Sequence, residues 1–249
     1  GGADSEGTHL LRRTIGGYAK HSSFGAVVMI GLGCESNQLP RLVTEEGLQA
    51  GQRIQTLVMQ EVGGTRKTIE AAVARIRELL PVVNNVKRAR VPAKHLVLGM
   101  QCGGSDGFSA ITANPALGVA ADLLVQNGGT AILSETPEIY GAEHMLLSRA
   151  VSKEVGEKLL DLLKWWEKYA DDNDGSLNNN PSPGNKAGGL TTILEKSLGA
   201  AAKGGHSDLV DVLRYAEPVT KRGFVFMDTP GYDPVSATGQ VAGAANQIA

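Results

Sequence analysis

Residues 95–134 read HLVLGMQCGGSDGFSAITANPALGVAADLLVQNGGTAILS, and this stretch decides the fold class. An apolar run at 95–100 leads through a Gly-rich turn into a helical pattern at 115–126, and a second apolar run follows at 130–134. A strand, a helix and another strand in this order are typical of parallel α/β folds. The stretch therefore predicts two parallel strands joined by a helix. Asn114 suits the cap of this helix, Pro115 its first residue and Gly128 its end.

The same alternation continues on both sides of this stretch. Three more apolar runs, which do not alternate with polar residues, predict strands covered on both faces; they lie at 25–32, 54–59 and 224–227. Four more helical patterns lie at 65–80, 152–169, 191–202 and 234–245. The predicted fold class is α/β, with a largely parallel sheet flanked by helices in a Rossmann-like three-layer arrangement.

Two of the predicted helices have an apolar stripe, which is typical of a helix that packs against a core. In the helix at 65–80 the stripe consists of Ile69, Val73, Ile76 and Leu80. In the helix at 152–169, which has the strongest pattern and Ser152 as its cap, the stripe consists of Val155, Leu159, Leu162, Leu163 and Trp166.

Residues 171–189 read DDNDGSLNNNPSPGNKAGG, and their composition predicts a long polar loop. A loop of this length inside a compact domain is usually functional or disordered. If the chain is subdivided, this is where the sequence places the boundary.

Composition and charge exclude several classes of protein. The 249 residues are 42% apolar and 20% charged, with a net charge of −2, so no basic face predicts nucleic-acid binding. There is no signal peptide and no apolar run long enough to span a membrane. Two cysteines far apart in sequence make no disulfide framework. We therefore expect a cytoplasmic protein that binds neither nucleic acid nor membrane.

Four loops that follow predicted strands carry polar and acidic groups. In open α/β sheets ligands bind beyond the carboxyl ends of the strands, so these loops predict a site at one sheet edge. They lie at 33–38, 101–109, 134–138 and 228–233. The second loop leads into a capped helix, which is a natural site for an anion such as a substrate carboxylate.

Each of these features also has a purely structural interpretation. Cys34 and Cys102, taken singly, are more often small buried residues than ligands, and His144 more often packs or caps. Glu135 and Glu138 suit the first turn of a helix through its dipole. The functional interpretation rests on the concurrence of four such loops. A nucleotide-binding domain is disfavoured because the Gly31-Leu32-Gly33 start of a dinucleotide fingerprint has no third glycine.

Four segments together resemble the altronate/galactarate dehydratase family of bacterial sugar-acid dehydratases. They are Gly31-Leu32-Gly33-Cys34-Glu35, residues 101–115 (QCGGSDGFSAITANP), residues 134–143 (SETPEIYGAE) and residues 180–189 (NPSPGNKAGG). The resemblance implies that the whole chain, 1–249, is the central-to-C-terminal catalytic region of a longer dehydratase. It also implies that 171–189 is an ordered active-site loop bearing Lys186. Ala110 stands where the family usually has Gly.

The resemblance implies loss of water from a six-carbon sugar acid, altronate or galactarate, giving a 2-keto-3-deoxy acid. The catalytic residues expected are Lys186, Glu135, Glu138 and Asp106: Lys186 serves as base or binds the substrate carboxylate, and Glu135 or Glu138 serves as acid or metal ligand. The residues expected to bind the substrate are Gly103, Gly104, Ser105, Asn114 and Asn185. A divalent metal, Fe2+, is expected at Cys34, Glu35 and Cys102. The expected partners are the small-molecule sugar acid and a second copy in a homodimer.

Two other functions stay open at this point. One is a related lyase such as a sulfolactate sulfo-lyase, against which the Gly-Leu-Gly-Cys-Glu segment and the acidic loop argue. The other is a domain that binds substrate or metal without turnover, its catalytic groups lying in flanking segments.

Overall fold

The computed structural model describes residues 2–249, and it divides the chain into two compact units. The first unit ends at Arg90 and the second unit is Val91–Ala249. Residues 171–189 lie inside the second unit. No helix among residues 2–249 combines the length and the apolar character that crossing a membrane requires.

The first unit is a small α/β unit with a two-stranded parallel sheet. Its elements are α1 (Glu6–Lys20), β1 (Val27–Gly31), α2 (Leu39–Glu45), β2 (Ile54–Val58), α3 (Met59–Val62) and α4 (Thr65–Val83). Its core joins Ala19, Met29, Leu42 and Ile54, with Leu39 and Leu48 beside them. The strands predicted at 25–32 and 54–59 are confirmed, but they form a sheet of their own.

The second unit is built on a five-stranded parallel sheet in the order β5-β6-β4-β3-β7. The strands are β3 (Val97–Gly99), β4 (Thr130–Leu133), β5 (Leu209–Leu213), β6 (Gly223–Met227) and β7 (Gln247–Ile248). The helices are α5 (Ala113–Gln126), α6 (His144–Leu147), α7 (Lys153–Asp172), α8 (Pro183–Ala187), α9 (Ile193–Ala202) and α10 (Asp233–Ala242). Short 3-10 turns lie at Ala93–His95, Thr136–Ile139 and Leu177–Asn179.

Both faces of this sheet are covered, as the unbroken apolar runs predict. Successive side chains of a strand point to opposite faces. On β6, Phe224 and Phe226 join one core cluster, which includes residues of α5 and α7, whereas Val225 and Met227 join another that includes Ala245. The predicted α/β class, with a parallel sheet flanked by helices, is confirmed.

Two details of the sequence prediction are wrong. The stripe of α4 does not pack in a core: Ile69, Val73, Ile76 and Leu80 are 41–58% exposed, and α4 buries Thr68, Ala72 and Leu79 instead. Small side chains on the packed face let α4 approach β1 and β2 closely. Asn114 does not cap α5, because the helix begins at Ala113, two residues before the predicted start at Pro115, and Thr112 occupies the cap position.

The polar stretch 171–189 is more regular than its composition predicts. Helix α7 extends to Asp172, and α8 occupies residues 183–187. The Ser182 side chain accepts the Asn185 backbone N–H, while the Asn185 side chain accepts the N–H of Ser182. This reciprocal pair is a capping box, and it explains how a run of Asn, Ser, Pro and Gly forms a helical turn.

Strand β5 escaped prediction because a charged residue interrupts its apolar run. Asp211 is buried in the strand and contacts Lys158 at 3.0 Å and Lys221 at 3.2 Å. The two lysines bind the carboxylate that would otherwise be buried alone, at a cost of several kcal/mol.

The first unit contains a buried ion pair whose two partners are not equivalent. Arg12 is 1% exposed; its Nη1 contacts Glu45 Oε2 at 2.7 Å, and its Nε donates to Asn37 Oδ1 at 2.9 Å. Glu45 is about one-third exposed and also binds Arg41. Removal of the Glu45 side chain therefore leaves the buried charge of Arg12 without its carboxylate partner. Removal of the Arg12 side chain leaves no buried charge behind.

We predict that Glu45→Ala lowers the free energy of unfolding by about 3 kcal/mol, whereas Arg12→Met lowers it by less than about 1 kcal/mol. Urea unfolding of both variants measures the difference. Equal losses would contradict the asymmetry, and Glu6→Ala at the start of α1 is a control on an exposed carboxylate.

Candidate functional site

The carboxyl ends of β3, β4 and β6 lie at the same edge of the sheet, and a cleft of about 700 Å3 opens there. Segments from the loops after these strands, from α7 and from 173–185 form its wall. Its polar and charged lining side chains are Cys102, Ser105, Glu138, Asn173, Ser176, Asn179, Asn180, Ser182, Asn185, Lys196 and Asp233, and its aromatic ones are Trp166, Tyr169 and Tyr232. This is the placement that the fold class predicts for a ligand site.

A buried ion pair between Glu138 and Lys196 forms part of the cleft lining. Lys196 Nζ on α9 lies 2.7 Å from Glu138 Oε1, and their side chains are 7% and 6% exposed. Asn180 bridges the two, since its amide donates to Glu138 Oε1 at 3.1 Å and its carbonyl accepts from Lys196 at 2.9 Å. Among residues 2–249, Glu138 Oε2 is buried and has no hydrogen-bond partner.

A second pair, Glu135 with Lys203, is completely buried beside the first. Lys203 Nζ lies 3.4 Å from Glu135 Oε2, and the two side chains are 1% and 2% exposed. Burial raises the pKa of Glu135 to about 8; Lys203 opposes the rise, and the neighbouring carboxyl groups of Glu138 and Asp233 add to it. Burial therefore favours the neutral form of Glu135.

Glu135 is held in an uncommon backbone conformation. Its φ is 69°, in the left-handed region that non-glycine residues seldom adopt. Its N–H donates to Thr229 Oγ1 at 2.8 Å, and Thr229 in turn contacts the Ser236 hydroxyl at 2.7 Å. Such geometry persists only where the surroundings determine it, and it is common at active sites.

A buried network of uncharged groups fixes these strand ends to α10. The Ser134 and Ser236 hydroxyls are 2.8 Å apart, and Gln240 donates to Ser134 at 2.8 Å. Gln101 donates to Gln240 at 2.6 Å. The network joins the loops after β3, β4 and β6, so it keeps the cleft residues in a fixed relative position.

Asp228, at the end of β6, is a further buried carboxylate. Burial raises its pKa, against the hydrogen bonds that it accepts from Thr136 and Trp166. Those bonds, at 2.6 and 2.8 Å, tie β6 to the turn after β4 and to α7. Asp228 therefore holds the cleft wall together.

The structure brings together about half of the residues predicted from the sequence. Six of them line the cleft: Cys102, Gly103, Gly104, Ser105, Glu138 and Asn185. The Asn185 amide donates to the backbone carbonyl of Ser105 at 2.8 Å, which fastens α8 to the Gly-rich loop. Glu135 lies behind the cleft surface.

Three other predicted residues lie away from the cleft surface. The carboxylate of Asp106 is bound within its own loop, where it accepts the Ser109 N–H at 2.6 Å. Asn114 donates to the carbonyl of Gly199 at 3.0 Å and so links α5 to α9. Lys186 is exposed on α8 and does not belong to the lining.

The predicted metal ligands do not form a metal centre as they stand. Glu35 accepts the N–H groups of Leu32 and Gly33 with its two oxygens, and backbone hydrogen bonds, its own N–H first, lower its pKa. Cys34 is exposed, and the Cys102 thiol contacts the Ser105 hydroxyl. No three His, Cys, Asp or Glu side chains among residues 2–249 stand together as a metal site requires. The divalent ion stays a prediction.

The glycines of the Gly31-Leu32-Gly33-Cys34-Glu35 segment have a structural reason. A Cβ at Gly31 would lie 2.6 Å from Glu35 Oε1, and Gly33 has a φ of 117°. Glycine at these positions therefore lets Glu35 fold back onto the turn.

Sequence reasoning missed both lysines of the buried pairs, together with Asn180 and Asp233. One signal was available. Lys196 on α9 and Lys203, the residue directly after α9, are seven residues apart, and such spacing places both on one face. Two cations on the buried face of a helix predict carboxylate partners in the core.

Comparison with known proteins agrees with this division of the chain. The family model "D-galactarate/Altronate dehydratase, C-terminal" matches residues 93–249, and the model "D-galactarate dehydratase/Altronate hydrolase, second domain" matches residues 1–84. The two matched ranges correspond to the two compact units.

Three curated relatives show how far the similarity reaches. An altronate dehydratase of Bacillus subtilis is 41% identical over 99% of this chain and 48% of its own length. A galactarate dehydratase (L-threo-forming) of Escherichia coli is 43% identical over 92% of this chain and 45% of its own. The beta subunit of a (2R)-sulfolactate sulfo-lyase of Chromohalobacter salexigens is 32% identical over 92% and 58%. The chain thus spans about half the length of the two dehydratases. Because one family model covers more than half of the chain, the chain belongs to the D-galactarate/altronate dehydratase family.

Proposed function

We propose that this chain carries the elimination chemistry of a hydro-lyase that removes water from a hexonate or hexarate sugar acid of the altronate or galactarate type, giving a 2-keto-3-deoxy acid. The observation that carries the proposal is the Glu138–Lys196–Asn180 cluster in the cleft at the strand ends. The family membership and the names of the two dehydratase relatives supply the reaction class.

The elimination requires a base beside the substrate carboxylate, because the proton on the adjacent carbon is only weakly acidic. Glu138 suits this role. Lys196 and Asn180 occupy its Oε1 and fix the orientation of the carboxylate. Its second oxygen, Oε2, is buried without a hydrogen-bond partner among the described residues, and it is the proposed acceptor of the proton.

Loss of that proton places negative charge on the substrate carboxylate as an ene-diolate. Lys196 is the cation that lines the cleft at this point, and it is 7% exposed. A positive charge held in a site that excludes water stabilises developing negative charge more strongly than it would in water. Lys196 is therefore proposed to stabilise the ene-diolate while its neighbour Glu138 takes the proton.

The function is tested on the intact protein with altronate, galactarate and (2R)-sulfolactate, assayed under anaerobic conditions with added iron(II). A 2-keto-3-deoxy acid from altronate or galactarate, lost in Glu138→Gln, supports the proposal. Turnover of sulfolactate alone would favour the activity named for the Chromohalobacter relative. Binding of a sugar acid without product from any substrate would contradict the enzymatic proposal.

Metal content and molecular mass, measured on the same sample, test two further expectations. One is a bound divalent ion, Fe2+, and the other is a homodimer. The cytoplasmic location likewise stays a prediction.

We predict that Lys186→Ala lowers kcat/KM by less than about tenfold. Lys186 is exposed on α8 and lies outside the cleft lining, whereas a base or a carboxylate-binding group must reach the substrate. Steady-state kinetics with the best sugar acid measure the effect. A loss of three orders of magnitude would restore Lys186 as the base and would move the catalytic centre toward α8.

A further inference from the structure

Helix α4 of the first unit exposes a continuous apolar stripe. Ile69, Val73, Ile76 and Leu80 share one side of the helix, and their exposed fractions are 58%, 41%, 46% and 46%. The stripe extends over about three turns of α4 and contains no charged residue. Contiguous apolar surface of this kind on a folded protein usually marks a place where another chain or ligand binds.

The spacing of the stripe is that of a helix that packs against another helix. Its members are separated by steps of four, three and four residues, and a further step of three leads to Val83, which is partly buried. Alternating steps of four and three are the spacing of the a and d residues along the seam of paired helices. The contact of α4 with its own sheet does not explain this spacing, because that contact uses Thr68, Ala72 and Leu79.

The two borders of the stripe differ in character. With about 3.6 residues per turn, the buried residues Thr68, Ala72 and Leu79 lie along one border of the stripe. Glu70 and Arg77 lie along the other border, and both are exposed. They are seven residues apart, so they stand in one row, two turns from each other. A partner that covers the stripe therefore also meets one negative and one positive charge beside it.

These two charges are complementary to those of a second α4 that runs in the opposite direction. When the stripe lies on the stripe of a second copy in antiparallel order, Glu70 faces Arg77 of the partner subunit, and the two-fold axis repeats this pair. In a parallel pair, like charges would be adjacent, which is unfavourable. The charge pattern therefore favours a second copy of this chain as the partner, in the antiparallel orientation.

We propose that the α4 stripe is the contact surface of a homodimer, in which two copies of α4 pack antiparallel about a two-fold axis between Val73 and Ile76. The same surface is used by both copies, as closed two-fold symmetry requires. The apolar residues form the seam, and a Glu70–Arg77 pair between the copies lies on either side of the axis. The proposal does not depend on the proposed function, because α4 belongs to the first unit and the cleft to the second.

The size of the stripe determines how strong such a dimer is. From Ile69 to Leu80 the seam is about 16 Å long, so the contact is smaller than the standard interface of a tight complex. We expect a dimer that dissociates in the micromolar range. The apolar seam supplies most of the affinity, since exposed ion pairs contribute little, whereas the charges determine the orientation of the two helices.

Sedimentation velocity of the intact protein, from about 1 μM to about 100 μM, tests the dimer. We expect a monomer–dimer equilibrium in the wild-type protein. Ile76→Glu places a charge at the centre of the seam and should raise the dimer Kd by at least about 100-fold. Ala74→Glu, at an exposed position of α4 outside the stripe, is the matched control and should leave the Kd unchanged. A wild-type protein that stays monomeric would overturn the proposal, as would a dimer that Ile76→Glu leaves intact because another segment covers the stripe.

Exchange of the two charges tests the antiparallel orientation. Glu70→Arg places an arginine opposite Arg77 of the partner subunit and should raise the dimer Kd about tenfold, and Arg77→Glu should do the same. The double variant restores both pairs with the charges exchanged, so its Kd should return to within about threefold of the wild-type value. Glu78→Arg, on the exposed side of α4 opposite the stripe, is the control for a change of net charge. A double variant that dimerises as weakly as the single variants would overturn the antiparallel pairing.

Discussion

Lys196→Met is expected to lower kcat by about 10^3-fold, at the upper end of the loss seen when one group that stabilises an oxyanion is removed. Lys196 is the cation at the base of the cleft and lies 2.7 Å from Glu138. Its removal takes away the positive charge proposed to face the ene-diolate. It also leaves Glu138 buried without its cation, which costs about 3–5 kcal/mol of folding free energy. Kinetics and urea unfolding on the same variant measure the two losses.

A double variant separates catalysis from folding. In Glu138→Gln with Lys196→Met no charge is left buried, so most of the lost stability should return. Turnover should not return, because base and cation are both absent. Lys164→Met, on the exposed face of α7, is the matched lysine control. A double variant that regained turnover together with stability would show that the pair serves folding alone.

The placement of the site was predictable from the sequence, whereas its chemistry was only partly so. Apolar runs without alternation predict a covered parallel sheet, and the strand-end rule then points to the loops after β3, β4 and β6. Cys102, Ser105 and Glu138 were found in this way, and they line the cleft. The rule depends only on strand direction, so it does not require knowledge of which helix packs behind the loops.

The spacing of the two lysines was a signal, but the carboxylate partner of each could not be derived, because each pair joins segments far apart in sequence. Lys196 lies on α9 and Lys203 directly after it, 58 and 68 residues from Glu138 and Glu135 respectively. A lysine in an amphipathic pattern predicts a solvent-facing position, and only the packing of α9 against the turn after β4 places these two lysines inside. The wrong prediction for Asn114 has the same cause, because its amide binds a carbonyl of the distant helix α9 instead of capping α5.

Apolar patterning also misleads where small residues make the contact. The stripe of α4 is the most regular in the first unit, yet its large residues are exposed and Thr68 and Ala72 are buried. Periodicity shows that four residues share a face; which face packs depends on how closely the neighbouring sheet approaches. The stripe of α7 was predicted correctly because its bulky residues meet an apolar sheet face.

The second large effect is expected in the pH dependence of stability. Glu135 has a pKa raised from 4.5 to about 8 in the folded protein. Below pH 4.5 the carboxyl group is protonated in both states and stability does not depend on it. Between pH 4.5 and about pH 8 the carboxyl group of Glu135 is ionised in the unfolded chain but keeps its proton in the folded protein, so rising pH favours unfolding. At about 1.4 kcal/mol per pH unit, the loss reaches about 5 kcal/mol by pH 8.

Glu135→Gln should abolish this loss. A glutamine side chain has the size and neutrality of the protonated acid, so the variant should match the wild-type protein near pH 5 and exceed its stability by several kcal/mol near pH 8.5. Asp228, whose pKa is also raised, is present in both proteins and cancels in the comparison. Glu157→Gln should follow the wild-type curve.

Both tryptophans lie on α7, so their fluorescence during urea unfolding reports on the unit that contains Glu135. If Glu135 were ionised and simply paired with Lys203, the result would have the opposite sign. Glutamine would then leave the buried ammonium of Lys203 without its carboxylate, and the variant would be the less stable protein at every pH. The direction of the difference at pH 8.5 therefore distinguishes a neutral Glu135 from a buried salt bridge, because the two differ in whether the charge at Glu135 exists in the folded protein.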